Sequence, residues 1–328
     1  MHFLLKALTL RISALCLAAS ILSRIYPQIM ISVIICSANS EELQSVRENI
    51  DQTIGVAYEI IAFDNGNAEK GICELYNQGA ERAKFDTLVF MHEDIEMKTE
   101  HWGAKVLEVF AAHPNLGLMG IAGGGYKSVV PSSWYNADLE VNGGFYCNLI
   151  QGFKYSGREA FLDYRNAKNE KLTKVASIDG CWMATKKEIA LANPFDQNLL
   201  KHFHAYDVDF SLAVGRQYDV AVTYEVLLSH FSEGNFSHNW EDEILKVHKK
   251  WSAVLPVNAD GLDEKTLLRY ERRAFRMYFE KQLDKGKTYH ELMQICWHAR
   301  KSRIFKGLKW YKMFVDLWRV WRKADNFE

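Results

Sequence analysis

The chain has 328 residues, of which 48% are hydrophobic and 25% are charged, and its formal net charge is −1. This balance excludes an intrinsically disordered chain. The length is sufficient for a full α/β domain with an appendage. No nucleic-acid-reading motif is found in the sequence, so we expect no nucleic-acid partner.

The N-terminal segment has two interpretations. Residues 3–25 are mostly apolar, but basic residues interrupt them and leave only 12–23 uncharged, which is short for a membrane span. A strand-like run starts directly after Met30. Residues 1–29 are therefore either a dispensable extension upstream of the real start, or a membrane anchor or signal peptide.

The six cysteines show no CxxC spacing, and several of them lie inside apolar or helical patterns. This usage is typical of reduced core residues rather than of a disulfide framework. It predicts a cytoplasmic protein.

Three strand-like runs, at residues 31–36, 58–63 and 86–91, alternate with two segments of helical periodicity. Such β-α-β-α-β alternation predicts a parallel sheet buried on both faces. Ser37, Asp64 and Asp94 come after the three strands, at one edge of the predicted sheet. Open α/β sheets bind ligands at this edge.

The third run ends directly in His92, Glu93 and Asp94. Carboxylates presented to a phosphate at a strand end usually require a divalent cation between them. The alternative is that Asp94 only caps a following helix. This segment alone leaves both interpretations open.

The later segments predict further elements and three regions. We expect Gly123, Gly124 and Gly125 to form a flexible loop and residues 126–174 to be an irregular insertion. Strands are predicted over 175–184 and 220–228, and helices over 100–112 and from about 240 onward. The predicted regions are an apolar extension (1–29), an α/β domain (30–240) and a basic, Trp-rich helical region (241–328).

Six segments follow one another along the chain: ISVIICS (31–37), FDN (63–65), MHEDI (91–95), VASIDG (175–180), YDVDFSL (206–212) and His230 followed by Gly234. Their order resembles the family-2-type glycosyltransferases of the GT-A fold. The resemblance covers roughly residues 31–240. It implies a mixed, mainly parallel sheet flanked by helices, with an α-helical C-terminal appendage.

The resemblance implies a nucleoside-diphosphate sugar donor and Mn²⁺ or Mg²⁺ as cofactor. Asp94 and His230 would bind the metal. His92 stands where the family has its first aspartate, and could be a ligand or hydrogen-bond a ribose. The residues expected to bind the nucleotide sugar are Ser37, Asp64, Asn77, His92, Glu93 and Asp94.

Transfer requires a base near the acceptor hydroxyl, and Asp207 matches that position in the family, with Tyr206 in place of a glutamate. Helix capping is the alternative role for Asp207. Asp179, Gly180 and Trp182 match the acceptor floor, with Trp182 either stacking on a sugar or buried in the core. A single aspartate base favours inversion at the anomeric carbon.

The C-terminal segment is basic and aromatic. Residues 300–323 contain nine Lys or Arg and one acid, Asp316, and apolar side chains recur there at helical spacing. An amphipathic helix of this kind suits an anionic membrane surface, although it could also simply pack on the catalytic domain.

The sequence therefore predicts a metal-dependent, inverting glycosyltransferase that acts on a glycan or lipid-linked acceptor, in the cytoplasm or at the inner face of the membrane. The rival interpretation is a catalytically inactive nucleotide-sugar or glycan-binding protein of the same fold. The histidine at position 92 is the feature that favours this rival.

Overall fold

A computed structural model describes residues 30–135, 144–154, 156–232, 238–305 and 309–325. The predicted N-terminal extension (1–29) and Gly234 lie outside these residues. The strands are β1 (Met30–Ser37), β2 (Ala57–Asp64), β3 (Thr87–Met91), β4 (Ile95–Met97), β5 (Leu116–Gly120), β6 (Ala122–Gly124), β7 (Tyr126–Lys127), β8 (Phe145–Gly152), β9 (Phe161–Arg165), β10 (Leu172–Lys174), β11 (Ser177–Ile178), β12 (Trp182–Lys186), β13 (Asp219–Thr223), β14 (Leu228–Phe231) and β15 (Val257–Asn258).

The helices of the described residues follow in chain order. They are α1 (Ser40–Thr53), α2 (Ile72–Arg82), α3 (Trp102–Ala112), α4 (Lys187–Ala192), α5 (Tyr206–Val214), α6 (His238–Lys250), α7 (Glu264–Asp284), α8 (Tyr289–Ala299) and α9 (Tyr311–Asp325).

The central sheet has seven strands in the order β10-β13-β5-β12-β3-β1-β2. β1 pairs in parallel with both β2 and β3, which confirms the predicted β-α-β-α-β unit. β3 is buried along its whole length, as expected for an apolar strand covered on both faces. β12 runs antiparallel between β3 and β5, so the sheet is mixed.

A second sheet, in the order β11-β6-β8-β14-β4 with β9 beside β8, contains residues that the sequence pattern does not reveal as strands. The predicted flexible loop is wrong, because Gly123 and Gly124 lie in the buried strand β6. A Cβ atom on Gly123 would lie 2.7 Å from the Ser177 carbonyl oxygen, so the close approach of β11 requires glycine there.

The prediction of an irregular insertion at 126–174 is also wrong, because β7, β8, β9 and β10 lie within it. The predicted strand over 175–184 is divided into β11 and β12 by a turn at 179–181. The predicted strand over 220–228 is likewise two strands, β13 and β14. Both divisions occur where the chain passes from one sheet to the other.

The C-terminal helices pack on the α/β domain through buried polar contacts. Glu271 of α7 accepts hydrogen bonds from the Tyr126 hydroxyl, the Ser128 hydroxyl and the Val129 N–H. Lys127 is 1% exposed and donates to the Nε2 atom of His248 in α6. The predicted boundary after residue 240 falls inside α6. The segment after β6 is thus held by side chains from beyond the predicted boundary.

The predicted basic helix is not continuous. α8 ends at Ala299, a 3₁₀ turn spans Arg303–Phe305, and α9 begins at Tyr311. Phe305 and Leu317 are fully buried, and Arg272 of α7 makes two 2.8 Å bonds to the buried Asp316. Part of this region is therefore buried in the hydrophobic core, with α9 packed against α7. No helix among the described residues has the length and apolar character to cross a membrane.

Candidate active site

The carboxyl ends of β1, β2 and β3 bring the predicted nucleotide-binding residues to one edge. Ser37 and Asp64 are register partners at the last position of β1 and β2. His92, Glu93 and Asp94 directly follow β3, and Asp94 is followed by the strand β4. The helix-cap interpretation of Asp94 is wrong, because the next helix, α3, begins eight residues later at Trp102.

Backbone pairing brings His230 to the same place. β14 runs antiparallel to β4, with His230 opposite Ile95, and the Phe231 N–H donates to the Asp94 carbonyl oxygen at 2.9 Å. The His230 Nε2 atom lies 3.6 Å from Asp94 Oδ1, and the His92 Nδ1 atom lies 3.8 Å from the same oxygen. We call His92, Asp94 and His230 the triad.

The triad has the chemistry of a cation site. One ligand atom from each side chain lies within 4.8 Å of the others. Asp94 Oδ1 and His230 Nε2 are buried and have no hydrogen-bond partner among the residues that the structure describes. Buried polar atoms without partners are costly, and a metal ion would satisfy both of them. Burial lowers the pKa of His92 and keeps its imidazole neutral, as a ligand must be.

His92 is also fixed on its other side. Its Nε2 atom lies 2.6 Å from the Tyr206 hydroxyl, and that hydroxyl donates to the Gly180 carbonyl oxygen at 3.1 Å. The sequence placed His92 among the nucleotide-sugar ligands and left its exact role open. In the structure its Nδ1 atom lies on the side of Asp94, which fits a metal ligand.

Glu93 binds the loop after β1 rather than facing solvent. Its carboxylate accepts the N–H groups of Ala38 and Asn39 at 2.9 to 3.1 Å. The Ser37 hydroxyl donates to the Asn39 carbonyl oxygen in the same turn. Burial raises the pKa of Glu93, and the hydrogen bond from the Ala38 N–H opposes this rise. Glu93 thus shapes the edge on which a nucleotide would lie.

Two further residues were predicted to bind the nucleotide sugar. Asp64 lies at this edge of the sheet, and Asn77 does not contact it. Asp64 is exposed at the end of β2 and accepts the Gly66 N–H, so its carboxylate is accessible. The Asn77 side chain instead binds the Phe195 backbone through both its amide nitrogen and its oxygen. These two bonds commit it to the 195–197 loop, so the structure does not support the predicted nucleotide contact for Asn77.

Asp207 is half-buried at the start of α5, and its pKa is raised to about 7. Burial is the largest cause, the negative charge of Asp179 acts in the same direction, and the charge of Lys127 opposes them. Its carboxylate accepts the Val208 N–H at 2.8 Å. A carboxylate with this pKa can accept a proton near neutral pH, which an ordinary exposed aspartate does poorly.

The predicted acceptor floor has mainly structural roles. The Asp179 carboxylate is bound by the Trp134 indole N–H and the Cys181 N–H, at 2.7 and 2.8 Å. A Cβ atom on Gly180 would lie 2.4 Å from the Tyr206 hydroxyl oxygen, so Gly180 makes room for that ring. Trp182 is 0% exposed and packs edge-on against Trp102. Its ring offers no face to a sugar, so of the two predicted roles Trp182 has the buried one and not the stacking one.

Three site-forming side chains were not identified from the sequence. Trp134 orients Asp179, and Phe203 is 46% exposed with its ring centroid 5.1 Å from that of His92. Glu243 of α6 is fully buried and accepts the N–H groups of Lys201, His202 and His204. No local pattern indicates Trp134 or Glu243, because each acts through a contact distant along the chain. Phe203 lies between His202 and His204, in a segment without a periodic pattern.

The loop that Glu243 holds leads directly into α5. The residue before Tyr206 is Ala205, whose φ of 61° lies in the left-handed region that non-glycine residues rarely adopt. Three backbone bonds to one buried carboxylate help to maintain this conformation. Tyr206 and Asp207 are therefore presented from a fixed turn.

The mixed central sheet with helices around it is an α/β fold of the GT-A type. A profile of the glycosyltransferase-like family matches residues 32–252, two-thirds of the chain, and the chain belongs to this family. Comparison of the sequence with curated proteins found no match.

One solved structure with low sequence identity shares the fold, and a second matches more weakly. A TarS structure from S. aureus matches with a TM-score of 0.52 and 10% identity, covering 90% of each chain. A structure of GalNAc-T7 with UDP, GalNAc and Mn²⁺ matches with a TM-score of 0.45 and 10% identity over 75% of this chain. The chain spans 54% of that GalNAc-T7 chain.

Proposed function

We propose that this glycosyltransferase is metal-dependent and inverting, and that it moves a sugar from a nucleoside diphosphate to a glycan or lipid-linked acceptor. The observation that carries the proposal is the triad at the sheet edge, with two buried ligand atoms that lack partners. Asp207, a carboxylate with a pKa near neutrality, lies next in sequence to Tyr206, which contacts the triad.

The triad would hold the cation through the Asp94 carboxylate and the two imidazoles. Imidazole ligands favour Mn²⁺ over Mg²⁺, which prefers oxygen ligands and keeps several waters. When bound, the cation supplies positive charge that stabilises the leaving nucleoside diphosphate. The loop after β1, held by Glu93, and the exposed Asp64 would line the nucleotide pocket.

Asp207 would remove the proton of the acceptor hydroxyl as that oxygen attacks the anomeric carbon. Attack opposite the leaving group inverts the configuration of this carbon, and no second nucleophile is required. Phe203 is an exposed aromatic face beside His92 and would contact the apolar side of a sugar ring.

The function is tested by measuring nucleoside diphosphate release from UDP-, GDP- and dTDP-sugars with Mn²⁺ and a panel of acceptors. We expect turnover with one donor, lost on chelation and restored by Mn²⁺ more fully than by Mg²⁺. Tight nucleotide binding without turnover of any donor would instead support the inactive binding protein.

The acid limb of the pH profile is expected to report Asp207. The base must be deprotonated, so activity should rise with pH through the pKa of this carboxyl. That pKa should be at or somewhat below 7 in the enzyme with bound metal, because the metal adds positive charge.

Replacing Asp179 with asparagine tests this assignment. The change removes a negative charge that raises the pKa of Asp207, and should move the acid limb to lower pH. Trp134→Phe, which retains that charge, is the control, and kcat/KM against pH is the measurement. An unmoved limb in Asp179→Asn would refute the assignment.

We also propose that the C-terminal region touches the cytoplasmic face of a membrane during transfer to a lipid-linked acceptor. Trp297, Trp310, Tyr311 and Trp318 are 39–52% exposed, although much of the surrounding region is packed on the domain. Arg319 and Arg322 lie exposed beside Trp318 on α9. An exposed aromatic ring with basic side chains beside it suits anionic headgroups.

Binding to phosphatidylglycerol vesicles tests this surface. Removing two charges by Arg319→Gln and Arg322→Gln should weaken binding by roughly 30-fold, at about 1 kcal/mol per charge near the surface. Binding should fall with added salt and be weak on phosphatidylcholine vesicles. Lys84→Gln, an exposed lysine after α2, is the control. Equal binding of the double variant and this control would rule the surface out.

A further inference from the structure

The two positions at which this chain departs from the family-2 motifs touch each other. The sequence has His92 where the first aspartate of the acidic motif is expected, and Tyr206 where a glutamate precedes the catalytic aspartate. In the fold the His92 Nε2 atom and the Tyr206 hydroxyl oxygen lie 2.6 Å apart. The contact joins residues that are 114 positions apart in the chain.

The direction of this hydrogen bond follows from counting protons. The Tyr206 hydroxyl has one hydrogen, and it is donated to the Gly180 carbonyl oxygen, which can only accept. The hydroxyl oxygen must therefore accept from His92, so the Nε2 atom carries the imidazole proton. A neutral imidazole carries one proton, so with Nε2 protonated the Nδ1 atom keeps a lone pair. That atom faces Asp94 Oδ1 in the triad.

The surroundings of Tyr206 fix the phenol in this position. Its ring is 4% exposed and packs edge-on against Tyr76, with 5.7 Å between ring centroids. Gly180 allows the close approach, since a Cβ atom there would lie 2.4 to 2.9 Å from three atoms of Tyr206. The phenol is therefore enclosed by Tyr76 and Gly180, with its hydroxyl against His92.

We propose that Tyr206 is a positioning residue that holds His92 in the Nε2–H form, so that His92 acts as a metal ligand through Nδ1. The inference rests on the metal site of the proposed function. On this account His92 and Tyr206 form one unit that replaces two acids. Tyr206 also directly precedes Asp207, so the first turn of α5 fixes both a metal ligand and the base.

Mn²⁺ titration of the protein without donor, followed by electron paramagnetic resonance, tests the inference without relying on turnover. Tyr206→Phe keeps the ring and removes the hydroxyl. It should weaken Mn²⁺ binding by about 10–100-fold, as is usual when the hydrogen-bond partner of a metal ligand is removed. Tyr278→Phe, which removes a buried hydroxyl without a hydrogen-bond partner among the described residues, should bind Mn²⁺ as the wild type does.

A His92→Ala background separates positioning from general damage. If Tyr206 acts only through His92, then Tyr206→Phe should cause no further loss of Mn²⁺ affinity in that background. An equal further loss would overturn the inference. So would wild-type affinity in the single Tyr206→Phe variant.

The tautomer can be read directly in the wild-type protein by ¹⁵N NMR of the His92 ring, which removes any dependence on how the variants fold. We expect a protonated Nε2 and an unprotonated Nδ1 atom. A protonated Nδ1 atom would overturn the inference. Failure of wild-type protein to bind Mn²⁺ at all would instead contradict the proposed metal dependence, so the two failures are distinguishable.

Discussion

Replacing Asp207 with asparagine is expected to lower kcat by about 10²–10⁴-fold, the usual contribution of a positioned general base. Asparagine has nearly the same shape and its side-chain oxygen can still accept the Val208 N–H, so the turn at the start of α5 should remain intact. Donor affinity should therefore change little. The measurement is kcat and donor KM from initial rates of nucleoside diphosphate release.

The control for this variant is Asp51→Asn, which makes the same chemical change. Asp51 lies in the last turn of α1, at the end of the helix away from the candidate site. It should retain wild-type turnover. If Asp207→Asn is as active as this control, the acceptor proton goes elsewhere and Asp207 has only a structural role. A loss confined to donor KM would also contradict the assignment, because a base acts in the chemical step.

Replacing Asp94 with asparagine is expected to weaken Mn²⁺ binding by more than about 100-fold. Removing only the hydrogen-bond partner of a metal ligand costs up to about 100-fold, and the loss of a charged ligand should cost more. The change removes the one negative charge of the triad and leaves two neutral imidazoles. Turnover at limiting Mn²⁺ should fall accordingly and recover in part at high Mn²⁺. Calorimetric titration and the Mn²⁺ dependence of the rate measure the two effects.

Glu96→Gln provides the matched control, since Glu96 is two residues further along the same segment and pairs with Lys98 instead of the triad. It should bind Mn²⁺ as the wild type does. Unchanged Mn²⁺ affinity in Asp94→Asn would place the metal elsewhere and remove the main support for metal-dependent transfer. Loss of affinity in both variants would point to a general electrostatic effect of this edge.

Predictions from the sequence succeeded where local periodicity is sufficient. The apolar runs of β1, β2 and β3 and the helical spacing between them predict parallel strands, and the observed register places Ser37 beside Asp64. They failed where strands are short or interrupted. β6 contains two glycines and β11 has only two residues, so neither carries an alternating pattern that a sequence window can detect.

Whether a predicted site residue is free to bind a ligand depends on the side chains and backbone packed around it. Asp94 and His230 meet as predicted, because each follows or lies within a strand whose position the sequence indicates. Trp182 and Asn77 do not serve as predicted, because Trp102 and the Phe195 loop occupy their polar or aromatic faces. Such competition between ligand and protein contacts is invisible in a linear sequence.

The sequence by itself determined the class of fold, the edge of the sheet where the candidate site lies, and the acids that lie there. These depend on strand order and on residues that directly follow strands. Only the tertiary structure decided that His92 completes the triad, that Tyr206 holds it, and that burial beside Asp179 raises the pKa of Asp207. The reason is physical: proton positions, desolvation and charge coupling depend on distances between groups far apart in the chain.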